Sequence, residues 1–462
     1  MRIVENLTLT DIAEKGFSIG RDEKGRVVFV ENAVPGDVVD VRVFKKRKGI
    51  QYASPVKFHQ HSPDKVLPFC HHFEFCGGCQ WQHLNYNAQL IFKEKIVRDA
   101  LERVGKISVE NFEPILGASK SKEYRNKLEF TFANKQWLSK EEMDAGVNRN
   151  INAAGFFHPG VYDKVLNIEN CHLQKAPSND LRLGIKNLAA TLGISFYDLG
   201  NHSGCLRNIV IRITSIGEIL LIVFFGDEDR KSQHRLLTAI KENFPQITSL
   251  HYAVNTKLNS SYYDLPIELF EGKGFIEEKL NHVNYRIGPK SFFQTNSYQA
   301  GHLYELVAEM AQLSGKENVY DLYTGIGSIG LFLAKDSKQI VGIEEVPEAI
   351  EDAKINAEIN GIKNAVFFAG DVKHILQPSF VKEFGSPDVL VTDPPRAGMH
   401  PDVVKMLLKL KVPRIIYVSC KPSTQARDLQ TLSEIYTVSR SRAVDMFPHT
   451  HHVENVVLLE LK

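Results

Sequence analysis

The 462-residue chain has no apolar run near the ~20 residues that a membrane-spanning helix needs. Its start, Met1-Arg2-Ile3-Val4-Glu5-Asn6, has no apolar signal-peptide core. The expectation is a cytoplasmic protein that neither crosses nor binds a membrane. Charge excess is also missing: the formal net charge is +1, so any grip on nucleic acid has to come from local patches. No internal repeat or low-complexity linker interrupts the chain, which is long enough for roughly two to four domains. Cysteine is sparse at six residues (Cys70, Cys76, Cys79, Cys171, Cys205, Cys420). In a reducing compartment their clustering argues for metal or catalytic use over disulfides.

Residues 1–60 alternate β-rich runs (Val27-Val28-Phe29-Val30, Val38 to Val43) with turns such as Pro35-Gly36-Asp37. Several short strands of this kind predict a small closed barrel of the oligonucleotide-binding type. Between Arg42 and Lys57 lie Arg42, Lys45, Lys46, Arg47, Lys48 and Lys57, with no acid, beside Phe44, Tyr52 and Phe58. Basic groups track a phosphate backbone and aromatics stack on bases, so the stretch reads as an RNA-holding surface; the plain alternative is a solvated hairpin tip.

A central region, 61–285, opens with Cys70-His71-His72-Phe73-Glu74-Phe75-Cys76-Gly77-Gly78-Cys79. The glycines let a tight loop aim three thiolates at one centre, and Cys171 is the candidate fourth donor. This spacing suits a [4Fe-4S] cluster; zinc is the competitor, but its usual pair of C-x2-C knuckles is lacking. Trp81 and the nearby histidines read as packing groups around the ligands. Ala88 to Val104 predicts an amphipathic helix with Phe92, Ile96, Ala100 and Val104 on its inner face. Strands at 127–132, 208–214, 218–225 and 248–255, with a helix at 180–192, predict a largely antiparallel α+β region. Tyr124-Arg125-Asn126-Lys127 could grip a phosphate or base, or Arg125 could pair with a carboxylate. Cys205 reads as packing.

From 286 to 462 the period becomes βαβ, which predicts a Rossmann-like, doubly wound domain. Strands are expected at 318–322, 339–343, 365–369, 389–392 and 415–418. Gly325-Ile326-Gly327-Ser328-Ile329-Gly330 follows the first, and Glu344 ends the second. That loop and acid fit a dinucleotide or S-adenosylmethionine (SAM) equally, because both carry an adenosine ribose. The last two strands end in Asp393-Pro394-Pro395-Arg396 and Ser419-Cys420-Lys421-Pro422. Ligands bind at the carboxyl ends of such strands, so a thiol there is a candidate nucleophile. Two prolines alone would make a turn, but a turn leaves Asp393 and Arg396 unexplained.

With Phe292-Phe293-Gln294-x-Asn296 and Glu454-Asn455-Val456, these motifs resemble the RNA uracil-5-methyltransferase family, in particular its iron-sulfur ribosomal-RNA branch, along essentially the whole chain. The resemblance implies that the barrel is a TRAM domain and that Cys70, Cys76, Cys79 and Cys171 hold a [4Fe-4S] cluster. It implies that Gln294, Tyr323, Gly325, Ser328, Glu344, Asp371 and Asp393 line a SAM site, with Cys420 as nucleophile and Glu454 as base. Thr324 and Ser328 depart from the residues the family often carries there, Cys and Asn. The activity implied is methylation of uracil C5 in 23S ribosomal RNA by a monomer, with Lys421 and the sulfonium placed to lower the thiol's pKa. His449, His451 and His452 read as loop or RNA-facing groups. The rivals are a tRNA uracil methyltransferase, an NAD-linked iron-sulfur oxidoreductase, and a non-catalytic RNA-binding iron-sulfur protein.

Overall fold

The N-terminal strands, with burial alternating along Ser18–Arg21, Val27–Val30 and the start of Val38–Arg47, close into a barrel. The computed structural model describes residues 2–13 and 15–462. Strands β1 (Arg2–Ile12), β2 (Ser18–Arg21), β3 (Val27–Val30), β4 (Val38–Arg47) and β5 (Ile50–Gln60) pair in the order β1-β2-β3-β5-β4. Val28, Val30, Val39, Val41 and Ala53 fill it and are fully excluded from solvent. Each buried valine stabilises the barrel by about 1.5 kcal/mol. Phe44, Lys45, Lys46 and Arg47, at the end of β4, all stand exposed.

A helix at Tyr86–Asp99 follows the cysteine loop, capped by Asn85, whose side chain accepts from the Ala88 N–H at 2.8 Å. It runs into a π-helical turn, Ala100–Val104. Of the face the i, i+4 pattern predicts, Phe92, Ile96 and Ala100 pack inward but Val104 is 57% exposed, and Ala88, Gln89, Lys93 and Val97 are buried beside them. Gln89 and Lys93 can sit inside because each is fully partnered by hydrogen bonds.

The central sheet takes strands β7 (Lys127–Ala133), β8 (Ala153–Phe157), β9 (Val165–Asn167), β10 (Leu206–Ile213), β11 (Ile219–Phe225), β12 (Ser249–Val254) and β13 (Glu268–Gly272). Their order is β13-β12-β11-β10-β7-β8-β9, with only β11 and β12 parallel. Every residue of β10 and β11 is buried, so alternation gives way to continuous apolar runs. Ile209, Ile211 and Leu221 face helices Ser178–Thr191 and Arg230–Asn243. Val210, Leu220 and Ile222 face the helix Ser297–Ala311 of the C-terminal region. Cys205 is 2% exposed and packs in the first of these cores.

The C-terminal sheet contains eight strands. β16 (Asn318–Leu322), β17 (Gln339–Glu344), β18 (Ala365–Ala369), β19 (Val389–Thr392) and β20 (Arg414–Ser419) are parallel, in the doubly wound order β18-β17-β16-β19-β20. Beyond β20 come β22 (Glu454–Leu461), β21 (Tyr436–Val444) and, at the edge, β6 (Val109–Leu116). β22 runs antiparallel to β20 and puts Asn455 opposite Ser419. A hairpin of β14 (Ile276–Leu280) and β15 (Val283–Ile287) packs on this sheet, and Tyr285 donates to the Ser328 carbonyl at 2.7 Å. No helix among the described residues is long and apolar enough to cross a membrane.

Candidate active site

Parallel pairing aligns the strand ends: Leu322 lies opposite Ile343 and Thr392, Glu344 opposite Ala369, and Thr392 opposite Tyr417. The segments that follow, bearing Tyr323, Asp371, Asp393 and Cys420, therefore emerge along one edge of the sheet. Tyr323 leaves β16 with φ 63°, a conformation a bulky side chain seldom adopts and one that marks functional strand ends. Gly327 follows with φ 80°, where a Cβ would be strained. Gly330 passes so close to Asp321 that a Cβ would stand 2.9 Å from its Oδ2.

Carboxylates tie this loop down. Glu344 Oε2 accepts from the Gly325 N–H at 3.1 Å and its Oε1 from Val346 N–H at 3.0 Å. Buried Asp321 accepts from Thr324 Oγ1 at 2.5 Å and from the Gly330 N–H at 2.9 Å. Thr324, the departure noted in the sequence, thus has a defined structural partner. Asp371 accepts from the Lys373 N–H at 3.0 Å and pairs with its Nζ at 2.8 Å, which holds its pKa below the usual range. Gln294 is 8% exposed, and its carbonyl accepts from Asn126 Nδ2 at 2.8 Å, linking the central sheet to this edge. Ser328 opens the short helix Ser328–Leu333.

Cys420, Asp393, Arg396 and Glu454 are brought together. Cys420 is half-buried in the turn between β20 and the helix Pro422–Leu432. Burial, then Glu454 and Asp393, push its thiol up to about 11, while Arg396 opposes them. Glu454, 4% exposed at the start of β22, is raised well above the carboxylate range by burial and by Asp393, again against Arg396. Asp393 is pushed up to about 7 by burial and by Asp321. Burial thus works against the charged forms of both Cys420 and Glu454, and Arg396 is the group that opposes it at each. Lys421, the cation nominated from sequence, is exposed and is not among the groups that move the thiol's pKa. Asn455 fixes the neighbourhood: its Nδ2 donates to Gln425 Oε1 at 2.8 Å, and Gln425 Nε2 donates to the Tyr417 carbonyl at 2.8 Å.

Cys70, Cys76, Cys79 and Cys171 line one cavity of about 460 Å³ with Arg125, His72, His172, Thr295 and His452. Among the described residues no three His, Cys, Asp or Glu side chains are arranged to hold a metal ion. All four cysteines line the same cavity, and a set of cysteine thiolates is the donor type that an iron-sulfur cluster takes. Arg125 lies over the Phe447 ring at 5.4 Å and against this cavity, and no ion pair joins it to a carboxylate among the described residues. His449 lies in the loop between β21 and β22, as one of its two sequence readings has it, and is 7% exposed. Sequence reasoning missed the loop 445–453 as a junction. Gln80 and Trp81, directly after Cys79, both donate their N–H to the His449 carbonyl, at 2.9 and 3.0 Å. Asn296 Nδ2 donates to the Met446 carbonyl at 3.0 Å and Tyr124 to that of Pro448 at 3.0 Å.

Residues 268–462 match the family described as tRNA (Uracil-5-)-methyltransferase, and residues 4–56 match the TRAM domain. A protein of Bacteroides thetaiotaomicron described as an uncharacterized RNA methyltransferase is 51% identical, over 94% of this chain and 97% of its own. One of Porphyromonas gingivalis with the same description is 48% identical, over 98% and 99%. Among solved structures, the Pyrococcus abyssi tRNA (uracil-54, C5)-methyltransferase in complex with S-adenosyl-L-homocysteine superposes with a TM-score of 0.76 at 30% identity, covering 98% of this chain and 99% of its own. Barrel, doubly wound SAM-methyltransferase sheet and whole-length relatives agree, and the chain belongs to the RNA uracil-5-methyltransferase family.

Proposed function

We propose that the protein methylates C5 of a uridine in 23S ribosomal RNA, with Cys420 as nucleophile and Glu454 as base. The single observation that carries this reading is the convergence of Cys420, Glu454, Asp393 and Arg396 at the end of the sheet where the glycine loop lies. Uracil C5 is too weak a nucleophile to take a methyl group unaided. Cys420 first gives up its proton to solvent, and addition of the thiolate to C6 turns the O4-C4-C5 unit into an enolate. C5 then displaces the methyl group of SAM, releasing S-adenosylhomocysteine. Glu454, as the carboxylate, takes the C5 proton, and the electron pair of the C5–H bond re-forms the C5–C6 double bond as the thiolate leaves. Gln294, Tyr323, Gly325, Ser328, Glu344, Asp371 and Asp393 are assigned to SAM, the acid Glu344 at the ribose. The sulfonium and Arg396 both favour the ionised forms of Cys420 and Glu454, against the burial that opposes them.

Cys70, Cys76, Cys79 and Cys171 are assigned to a [4Fe-4S] cluster, supported by their sharing one cavity. When bound, such a cluster supplies a covalent tie between the cysteine loop and the segment after β9. The preference for ribosomal over transfer RNA rests on that cysteine set and on the barrel's exposed basic strand end. Labour divides into residues 1–60 for RNA, 61–285 for the cysteines and 286–462 for catalysis, the last drawing in β6 and the β14–β15 hairpin. The protein is taken to act as a monomer in the cytoplasm. Labelled SAM offered with unmodified 23S rRNA and tRNA tests the assignment. 5-Methyluridine in 23S rRNA is expected; label in tRNA alone transfers the activity to the rival substrate, and label in neither rejects the reading.

A further inference from the structure

Two buried polar side chains on the helix Tyr86–Asp99 have no part in this chemistry, yet they hold the loop that leads into Glu454. Lys93 is completely buried; its Nζ donates to Asp445 Oδ1 at 2.5 Å and to the Phe447 carbonyl at 3.0 Å. Asp445 is also buried, and its Oδ2 accepts from the Tyr86 hydroxyl at 2.9 Å. One turn earlier on the same helix face, Gln89 Oε1 accepts from the His449 N–H at 2.9 Å, and its Nε2 lies 3.2 Å from His449 Nδ1. The same Nε2 donates to the Trp81 and Leu84 carbonyls at 3.0 and 2.8 Å.

His449 has φ 65°, in the left-handed region that a residue of its kind keeps only when its surroundings impose it. Gln89 imposes it from one side, and the Gln80 and Trp81 N–H groups from the other. Five residues on, β22 begins at Glu454, with Asn455 in register with Ser419 and therefore Glu454 beside Cys420. A charged pair sealed away from water needs full partnering, and a position that only had to be filled would be met by apolar groups. We propose that Gln89 and Lys93 are positioning residues for Glu454: they fix the path of loop 445–453 and so the reach of the carboxyl towards the base bound at Cys420. The proposal rests on the reading of Glu454 as the base, and it makes the helix after the cysteine loop part of the catalytic alignment.

The test uses full-length Lys93→Met/Asp445→Asn, which removes both charges together and leaves no buried ion unpaired, with Gln89→Met as a second variant should the first fail to fold. Both are expected to bind S-adenosylhomocysteine and to form the covalent adduct with 5-fluorouridine RNA as the wild type does. With uridine RNA, kcat is expected to fall roughly ten- to a hundredfold at unchanged KM for SAM, as for a catalytic group displaced by about an ångström. Methylated RNA should accumulate on the enzyme, as with Glu454→Gln. A folded variant that turns over at the wild-type rate overturns the proposal, as does an equal loss of SAM binding and adduct formation. Glu454→Gln without accumulation overturns instead the base reading beneath it.

Discussion

Replacing Arg396 by methionine is expected to make Cys420 less reactive while leaving the fold intact. The side chain is exposed, and its backbone carbonyl is what accepts from Thr424 Oγ1 at 3.2 Å, so the change strands no buried charge. In the site the guanidinium works against burial, Glu454 and Asp393, which together hold the thiol near 11. Two charges ~4 Å apart interact by ~4 kcal/mol at an effective dielectric of about 20, but solvent around an exposed arginine reduces this to about 1.4 kcal/mol, or about one pKa unit. Removing the cation raises the thiol's pKa, so the thiolate fraction at any lower pH falls about tenfold, and with it the alkylation rate. Iodoacetamide labelling followed across pH, with the Cys420 peptide quantified by mass spectrometry, reads this directly. A labelling curve superimposable on the wild type's, or shifted to lower pH, refutes the assignment of Arg396 as the activating cation.

Three further outcomes follow from the same geometry. Asp393 has a folded pKa of about 7 against an ordinary 3.8, so its contribution to stability is whole below its unfolded pKa and is lost as pH rises through 7. Thermal melts should therefore show Asp393→Asn gaining on the wild type between about pH 4 and pH 8, and a gap that stays constant contradicts the burial of that charge. Changing Lys45, Lys46 and Arg47 to alanine should flatten the dependence of log K for RNA on log salt by ~0.7 to 0.9 for each phosphate no longer neutralised, with SAM affinity unchanged; an unaltered slope removes the barrel edge from the RNA path. Anaerobically purified protein should be brown, carry iron, and lose both in Cys79→Ser; a colourless, zinc-loaded protein contradicts the cluster.

The doubly wound sheet is legible in the sequence because buried parallel strands are continuous apolar runs ending in polar loops. Tyr323, Glu344, Asp371, Asp393 and Cys420 all fall at strand ends on that pattern alone. That Glu454 comes beside Cys420 depends on the antiparallel insertion of β22 next to β20, a pairing that motif order suggests but periodicity cannot specify. β6 is illegible: an edge strand with mixed burial, its partner β21 lies more than 300 positions away, as the Arg440–Glu113 pair at 2.6 Å illustrates. Nothing in the sequence singles out Lys93 and Gln89, because it cannot supply Asp445 and His449, the partners that make their burial tolerable. Adjacency to Cys420 favours Lys421 over Arg396 in the sequence, but the turn into helix Pro422–Leu432 leaves Lys421 exposed, while the preceding strand end presents Arg396 to the thiol.

Covalent catalysis by Cys420 is the centre of the account, and the most direct test is to mix the protein and SAM with RNA carrying 5-fluorouridine, where the fluorine blocks the final proton removal. The account predicts a stable protein–RNA adduct that carries the methyl group, maps to the Cys420 peptide and is absent from Cys420→Ala. An adduct on any other residue, or one that survives in Cys420→Ala, contradicts it.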